Sequence, residues 1–277
     1  MRQHKKNSIH PQNILYSLGA LALTGLFLWS LVSDKPPVAY DPQSHCQAGK
    51  AQPQITVLID PSTPFSPSQQ VQFQRLTSYL KQALPENAKL TLYRLEETVA
   101  IPPTPVLSVC YPGKQQRGMG SVQRKAVKAF QAEFTTAMKG FTQAKEEDTS
   151  PLLEGIYTVA HAIVWTGQGS QLIIFGDLLQ NSQLLSNYGK KPYFPTFKAF
   201  YASQRRYLEG HKLDLKNVKV TIFQLTNAPL SSQQQVEKSQ QFWADYYHFQ
   251  GAETVRFCSL DAHAQPHCLT VSPTGKN

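Results

Sequence analysis

The 277-residue chain lacks the short signatures that mark many enzymes. Its one glycine-rich, basic stretch, GKQQRGMGS at 113–121, is not closed by GK[ST], so it is no phosphate loop. There is no serine-hydrolase elbow and no Cys–His nucleophile signature. There is no internal repeat, which excludes solenoids and propellers. Cysteine is scarce, with four in all (Cys46, Cys110, Cys258 and Cys268), and none lies just after the apolar N-terminal run where a lipid-attachment cysteine would sit. An even set beyond an export-type segment suggests disulfides. Of the three possible connectivities we expect Cys258–Cys268, close in sequence, and Cys46–Cys110. The spacing C-x4-H-x3-H-C (Cys258, His263, His267, Cys268) invites a zinc reading, but adjacent His267 and Cys268 suit one tetrahedral ion poorly and finger spacing is absent.

What the chain has begins with residues 14–32, ILYSLGALALTGLFLWSLV, uncharged over about one bilayer thickness of helix. Arg2, Lys5 and Lys6 precede it and Asp34-Lys35 follow. This asymmetry places residues 1–13 in the cytoplasm and the rest on the far side of the membrane, periplasmic or otherwise exocytoplasmic. An uncleaved signal anchor is the favoured reading. The rival is a cleaved signal peptide, for which the run is long and no small-x-small site follows. Of the 27 Lys and Arg, three lie before the run, leaving 24 against 18 Asp and Glu, a net +6 for the exported part. That mild excess favours acidic partners without arguing for nucleic acid. Residues 33–52 read as a stalk, 53–260 as one domain, and 261–277 as a polar C-terminal tail.

Within the domain, Ile55–Ile59 is a short apolar run that delivers Asp60 into a cluster of hydroxyls and prolines. It reads as a buried strand with the acid at its carboxyl end. Ser66-Pro67 and Ser150-Pro151 each read as a helix start, with Ser as N-cap and Pro first in the helix. Gln171–Phe175 is a second apolar run, ending in Gly176-Asp177. The order of elements is strand, helix, strand, strand, helix, helix, strand, helix, strand, helix, strand. It predicts a Rossmann-like, doubly wound α/β domain with a mostly parallel six-stranded sheet. The short link between strands at 89–95 and 105–110 makes one edge antiparallel. Such sheets bind ligands beyond the strands' carboxyl ends, so Asp60, Ser150 and Asp177 are expected to meet at one rim.

With these elements in place, the chain resembles the von Willebrand factor A family. Asp60-Pro-Ser62 matches the start of that family's metal ion-dependent adhesion site, D-x-S-x-S. Ser150-Pro-Leu-Leu-Glu-Gly-Ile resembles its T-P-L-x-x-A-L segment, and Ile173-Ile-Phe-Gly-Asp177 its strand ending in an acid and Gly. Pro64 replaces the third hydroxyl and Leu178 the glycine. The resemblance implies a protein-binding domain whose Asp60, Ser62, Ser150 and Asp177 hold Mg²⁺ or another divalent cation completed by an acid of the partner. Thr63, Ser66, Arg205 and Arg206 are candidate partner contacts, the arginines from a basic, aromatic stretch at 188–219. The favoured function is a membrane-anchored interaction module, an assembly component or adaptor of an envelope complex such as a secretion or conjugation apparatus. Polyanion binding through 188–219 and Arg117–Lys128 is an alternative, whose mark would be steep salt sensitivity. A phosphatase with Asp60 as nucleophile is disfavoured, because Ser62 stands where the second acid belongs.

Overall fold

A computed structural model describes residues 22–26, 29, 40–47, 49–50, 52–117, 119–143, 147–165, 169–188, 193–225 and 232–274. The chain divides into two compact units, Met1–Val38 and Ala39–Asn277. In the first, residues 22–26 and 29 are helical. Most of the expected 14–32 span lies outside the described residues, among which no helix is long and apolar enough to cross a membrane.

The second unit is built on strands β1 (Gln54–Ile59), β2 (Lys89–Arg94), β3 (Leu107–Cys110), β4 (Gln171–Gly176), β5 (Lys219–Gln224), β6 (Val255–Leu260) and β7 (Pro266–Thr270). They form one sheet in the order β3-β2-β1-β4-β5-β6-β7. β2, β1, β4, β5 and β6 run parallel, and β3 and β7 are antiparallel edges. The expected six strands with one antiparallel edge thus become seven with two. β7 escaped the sequence pattern because PHCLT is exposed at every position, so it carries no apolar alternation. It lies within the segment read as tail, and the Cys258–Cys268 disulfide links it to β6.

Helices α1 (Pro67–Ala83) and α2 (Ser121–Phe141) cover one face, and α3 (Leu152–His161), α4 (Phe197–Gly210) and α5 (Gln233–Phe249) the other. The apolar runs are continuous because both faces are buried. On β1, Ile55, Val57 and Ile59 pack beneath α1 and α2, whereas Leu58 joins the opposite core. Ile173 and Phe175 of β4 make the same division with Leu172 and Ile174. The aromatics of 188–219 belong largely to this packing. Phe197, Phe200 and Tyr201 meet Phe242 and Phe249 of α5.

The domain begins earlier than residue 53. Tyr40 pairs with Gln47 in a short bridge, and Cys46 is disulfide-bonded to Cys110 at the end of β3. Both expected disulfides are present, Cys46–Cys110 and Cys258–Cys268. With its thiols oxidised, the Cys258/Cys268 pair has no thiolate for zinc. The cross-links close loops of different length, with separations of 64 and 10 residues. In the chain-entropy account, removing the first by paired Cys→Ser changes costs about 4 kcal/mol and the second about 3. Denaturant midpoints of the two double variants will rank them in that order; the reverse order would place the larger effect in the native state.

Candidate functional site

Chain order reverses direction across the sheet between β1 and β4. The chain leaves β1 towards β2 and β3, then crosses back to β4 on the other side. A crevice therefore opens beyond the carboxyl ends of these two strands, which helices cannot fill. Asp60 follows β1 and Asp177 follows β4, and the Asp60 amide donates to the Phe175 carbonyl at 2.8 Å. The two strands approach closely here: a Cβ on Gly176 would lie 2.8 Å from the Asp60 Cβ, so only glycine fits beside the acid.

Asp60, Ser62, Ser150 and Asp177 are all buried. Asp60 Oδ1 accepts from the Ser62 amide at 3.0 Å, and Oδ2 accepts from the Ser150 hydroxyl at 3.0 Å. Asp177 Oδ1 accepts from the Leu179 amide at 2.9 Å. Each acid thus folds its own outgoing turn through an Asx-type bond. Leu178, between them, has φ +64°, the left-handed backbone that glycine adopts at no steric cost. Its side chain is fully buried, and its carbonyl accepts from the Trp243 indole at 3.0 Å. Packing holds the leucine in this backbone shape.

The two Ser-Pro helix starts are not alike. Ser66 caps α1 as expected. Its side chain accepts from the Gln69 amide, while the Gln69 side chain accepts from the Ser66 amide. Ser150 does not cap α3; Pro151 occupies the cap position with no side-chain bond. The Leu153 amide is instead satisfied by Gln180 Oε1 at 2.7 Å. Ser150 is held in place by backbone bonds in both directions with Asn181, at 3.1 and 2.8 Å, and its hydroxyl goes to Asp60.

Two further residues join the rim that sequence reading passed over. The Glu147 amide donates to the Ser62 carbonyl at 2.9 Å, and its Oε2 is buried without a hydrogen-bond partner among the described residues. Burial, and then the negative charge of Asp60, push its carboxyl pKa up, with Arg94 opposing. Tyr188 brings its phenol beside Ser62. Burial first, and the charges of Asp177 and Asp60 next, raise its pKa. Glu147 was hidden in a charged run at 145–149 that reads as solvated loop. Tyr188 was one of many tyrosines, and no spacing rule singles it out. Thr63 is half-buried beside this rim. Arg205 pairs with Glu209 at 3.0 Å on the outer face of α4. Among the described residues no hydrogen bond or ion pair joins Arg205 or Arg206 to the Asp60 cluster.

The carboxylates and hydroxyls are hard oxygen donors of the kind Mg²⁺ and Ca²⁺ take. The unpartnered Glu147 oxygen and the crowding of acids fit a cation. The donor set is incomplete, because Pro64 contributes none and both Asp60 oxygens already accept internal bonds. Among the described residues no three His, Cys, Asp or Glu side chains cluster closely enough to hold an ion by themselves.

The fold and site together define a doubly wound α/β domain with an acidic, hydroxyl-bearing rim at its switch point. No family model matches the chain, and no curated protein is detectably similar in sequence. Among solved structures, an aerotolerance-related membrane protein from Bacteroides fragilis NCTC 9343, with multiple mutations to serines, aligns at 8% identity and TM-score 0.36, over 76% of this chain and 93% of that one. The human COPII-coat protein Sec24c aligns at 11% identity and TM-score 0.36, over 74% of this chain and 30% of its own. At that score neither carries an argument; the strand order itself defines the fold.

Burial raises the Asp60 carboxyl pKa, with the Ser62 and Ser150 bonds opposing. A raised folded value means the stability Asp60 contributes is present at low pH and lost as pH rises through that value. Asp60→Asn keeps the shape and can keep both bonds. We expect it to raise the thermal midpoint of the metal-free protein above neutral pH, by about 2–4 °C for each ~1 kcal/mol relieved. The gain should vanish towards pH 4, where carboxyls protonate in both states. Melting curves across pH test this; a destabilised variant at every pH would show that the carboxylate itself is required.

Proposed function

We propose that this chain is a single-pass, membrane-anchored recognition protein with a von Willebrand factor A-like domain on the exocytoplasmic side. Its partner is another protein, and its role is that of an assembly component or adaptor in an envelope complex. The observation that carries this reading is the Ser150 hydroxyl, which turns away from its helix and towards Asp60. A serine that merely started a helix would bond to the helix amides. Two disulfides suit an oxidising compartment beyond the membrane, in keeping with the apolar segment at 14–32.

In this reading Asp60, Ser62, Ser150 and Asp177 would hold a divalent cation, which supplies a positive centre for an acidic side chain of the partner. The chain's own residues do the positioning. The Ser62 amide and Ser150 hydroxyl fix the Asp60 oxygens, and the Leu179 amide fixes Asp177. The buried, doubly bonded Asp60 carboxylate favours recognition over attack on phosphate, since a nucleophile needs an unhindered oxygen.

Calorimetric titration with Mg²⁺, Mn²⁺ and Ca²⁺ is expected to show binding of at least one ion, abolished in Asp60→Ala and in Asp177→Ala. Crosslinking in membranes followed by mass spectrometry should recover a protein partner with the parent chain and lose most of it with Ser150→Ala. No heat with any ion removes the cation from the reading. Equal recovery with all variants removes the rim.

A further inference from the structure

The end of the domain opposite the rim carries a second surface. β3 is antiparallel, with Cys110 opposite Lys89 at the amino end of the parallel strands. Asp60 lies past the other end, roughly 17 Å away along β1 at ~3.3 Å per residue. At the Cys110 end the chain enters the domain. Cys46 is disulfide-bonded to Cys110, the Cys110 amide donates to the Ser44 carbonyl at 2.6 Å, and the Gln47 side chain donates to Glu86. The loop after Cys110 and the first turns of α2 hold Lys114, Arg117, Arg124, Lys125 and Lys128, all exposed. No acid occurs between Glu97 and Glu133, and among the described residues none of these five cations forms an ion pair. Lys81, at the end of α1, shares with Lys114 a groove of about 370 Å³ floored by Tyr111, Val127 and Phe130. Lys114 and Arg117 line an adjoining groove of about 210 Å³. Of the two nearby acids, Glu86 accepts from Gln47, and Glu133 is paired with His45.

We propose that this basic end lies on the phosphate headgroups of an anionic bilayer, the membrane that holds the 14–32 segment. The inference rests on the anchor reading for its geometry. From Val32 to Tyr40 the chain can span at most about 28 Å. A surface tethered so closely meets the bilayer at high effective concentration, so weak individual contacts suffice. Each exposed Lys or Arg adds about tenfold or less to partitioning onto an anionic surface, and salt removes it. The disulfide fixes residue 46 to the same end of the sheet as the basic loop.

The full chain is floated with phosphatidylcholine vesicles, with and without about one-third phosphatidylglycerol, at low and high salt. We expect two separable components. Insertion of the apolar segment resists salt and ignores lipid charge. Binding by the basic end requires phosphatidylglycerol, is lost in high salt, and falls about 100-fold or more in Lys114→Gln/Arg117→Gln/Arg124→Gln/Lys125→Gln. Hydrogen exchange on the vesicle-bound chain should protect amides at 111–125 and leave 147–150 unchanged. Loss of the salt-resistant component alone overturns the anchor and leaves the basic surface. Salt-sensitive binding unaffected by the four changes, or protection at 147–150 instead, overturns the proposal. Preference for duplex DNA over phosphatidylglycerol vesicles would assign the surface to nucleic acid and overturn it also.

Discussion

The hydrogen bond from Ser150 to Asp60 ties together the three segments on which the site depends. It joins the end of β1 to the start of α3, and the Ser150 backbone bonds extend the link to the loop that leaves β4. A parallel sheet covered on both faces leaves no polar surface except at its strand ends. What collects there has no core to pack against and must be ordered by its own bonds. Asp60 and Asp177 each fold the turn that carries them, and Ser150 locks one turn to the other.

The doubly wound core was legible from the sequence because burial on both faces leaves uninterrupted apolar runs such as Ile55–Ile59 and Gln171–Phe175. The acids that end those runs were legible for the same reason. β7 was not, since an edge strand with every side chain in water has no period to detect. The distinction between Ser66 and Ser150 was equally invisible. Both precede proline and a helical stripe, and the competing bond from the Leu153 amide to Gln180 releases Ser150 from capping. Glu147 and Tyr188 reach the rim through loops, whose paths depend on tertiary contacts rather than on local pattern.

Two clusters of opposite charge lie at opposite ends of the strands. Asp60, Glu147 and Asp177 gather at one end, and Lys114, Arg117 and the first turns of α2 at the other. The modest net charge of the chain beyond residue 33 conceals this arrangement, because a sum carries no positions. A sequence-wide count cannot reveal it; the antiparallel course of β3 does, by carrying the basic loop back to the amino ends of its neighbours.

The Cys46–Cys110 bond also defines how the domain would bear a pull. Tension arriving along the N-terminal segment bypasses residues 47–53 and enters the sheet through an edge strand. If the opposing load is applied at the Asp60 rim, it acts along the strand axes. The ladders joining β3, β2 and β1 are then sheared together instead of being opened one bond at a time. Loaded in that way, a fold pulled at opposite ends of the same strands stays closed under tension.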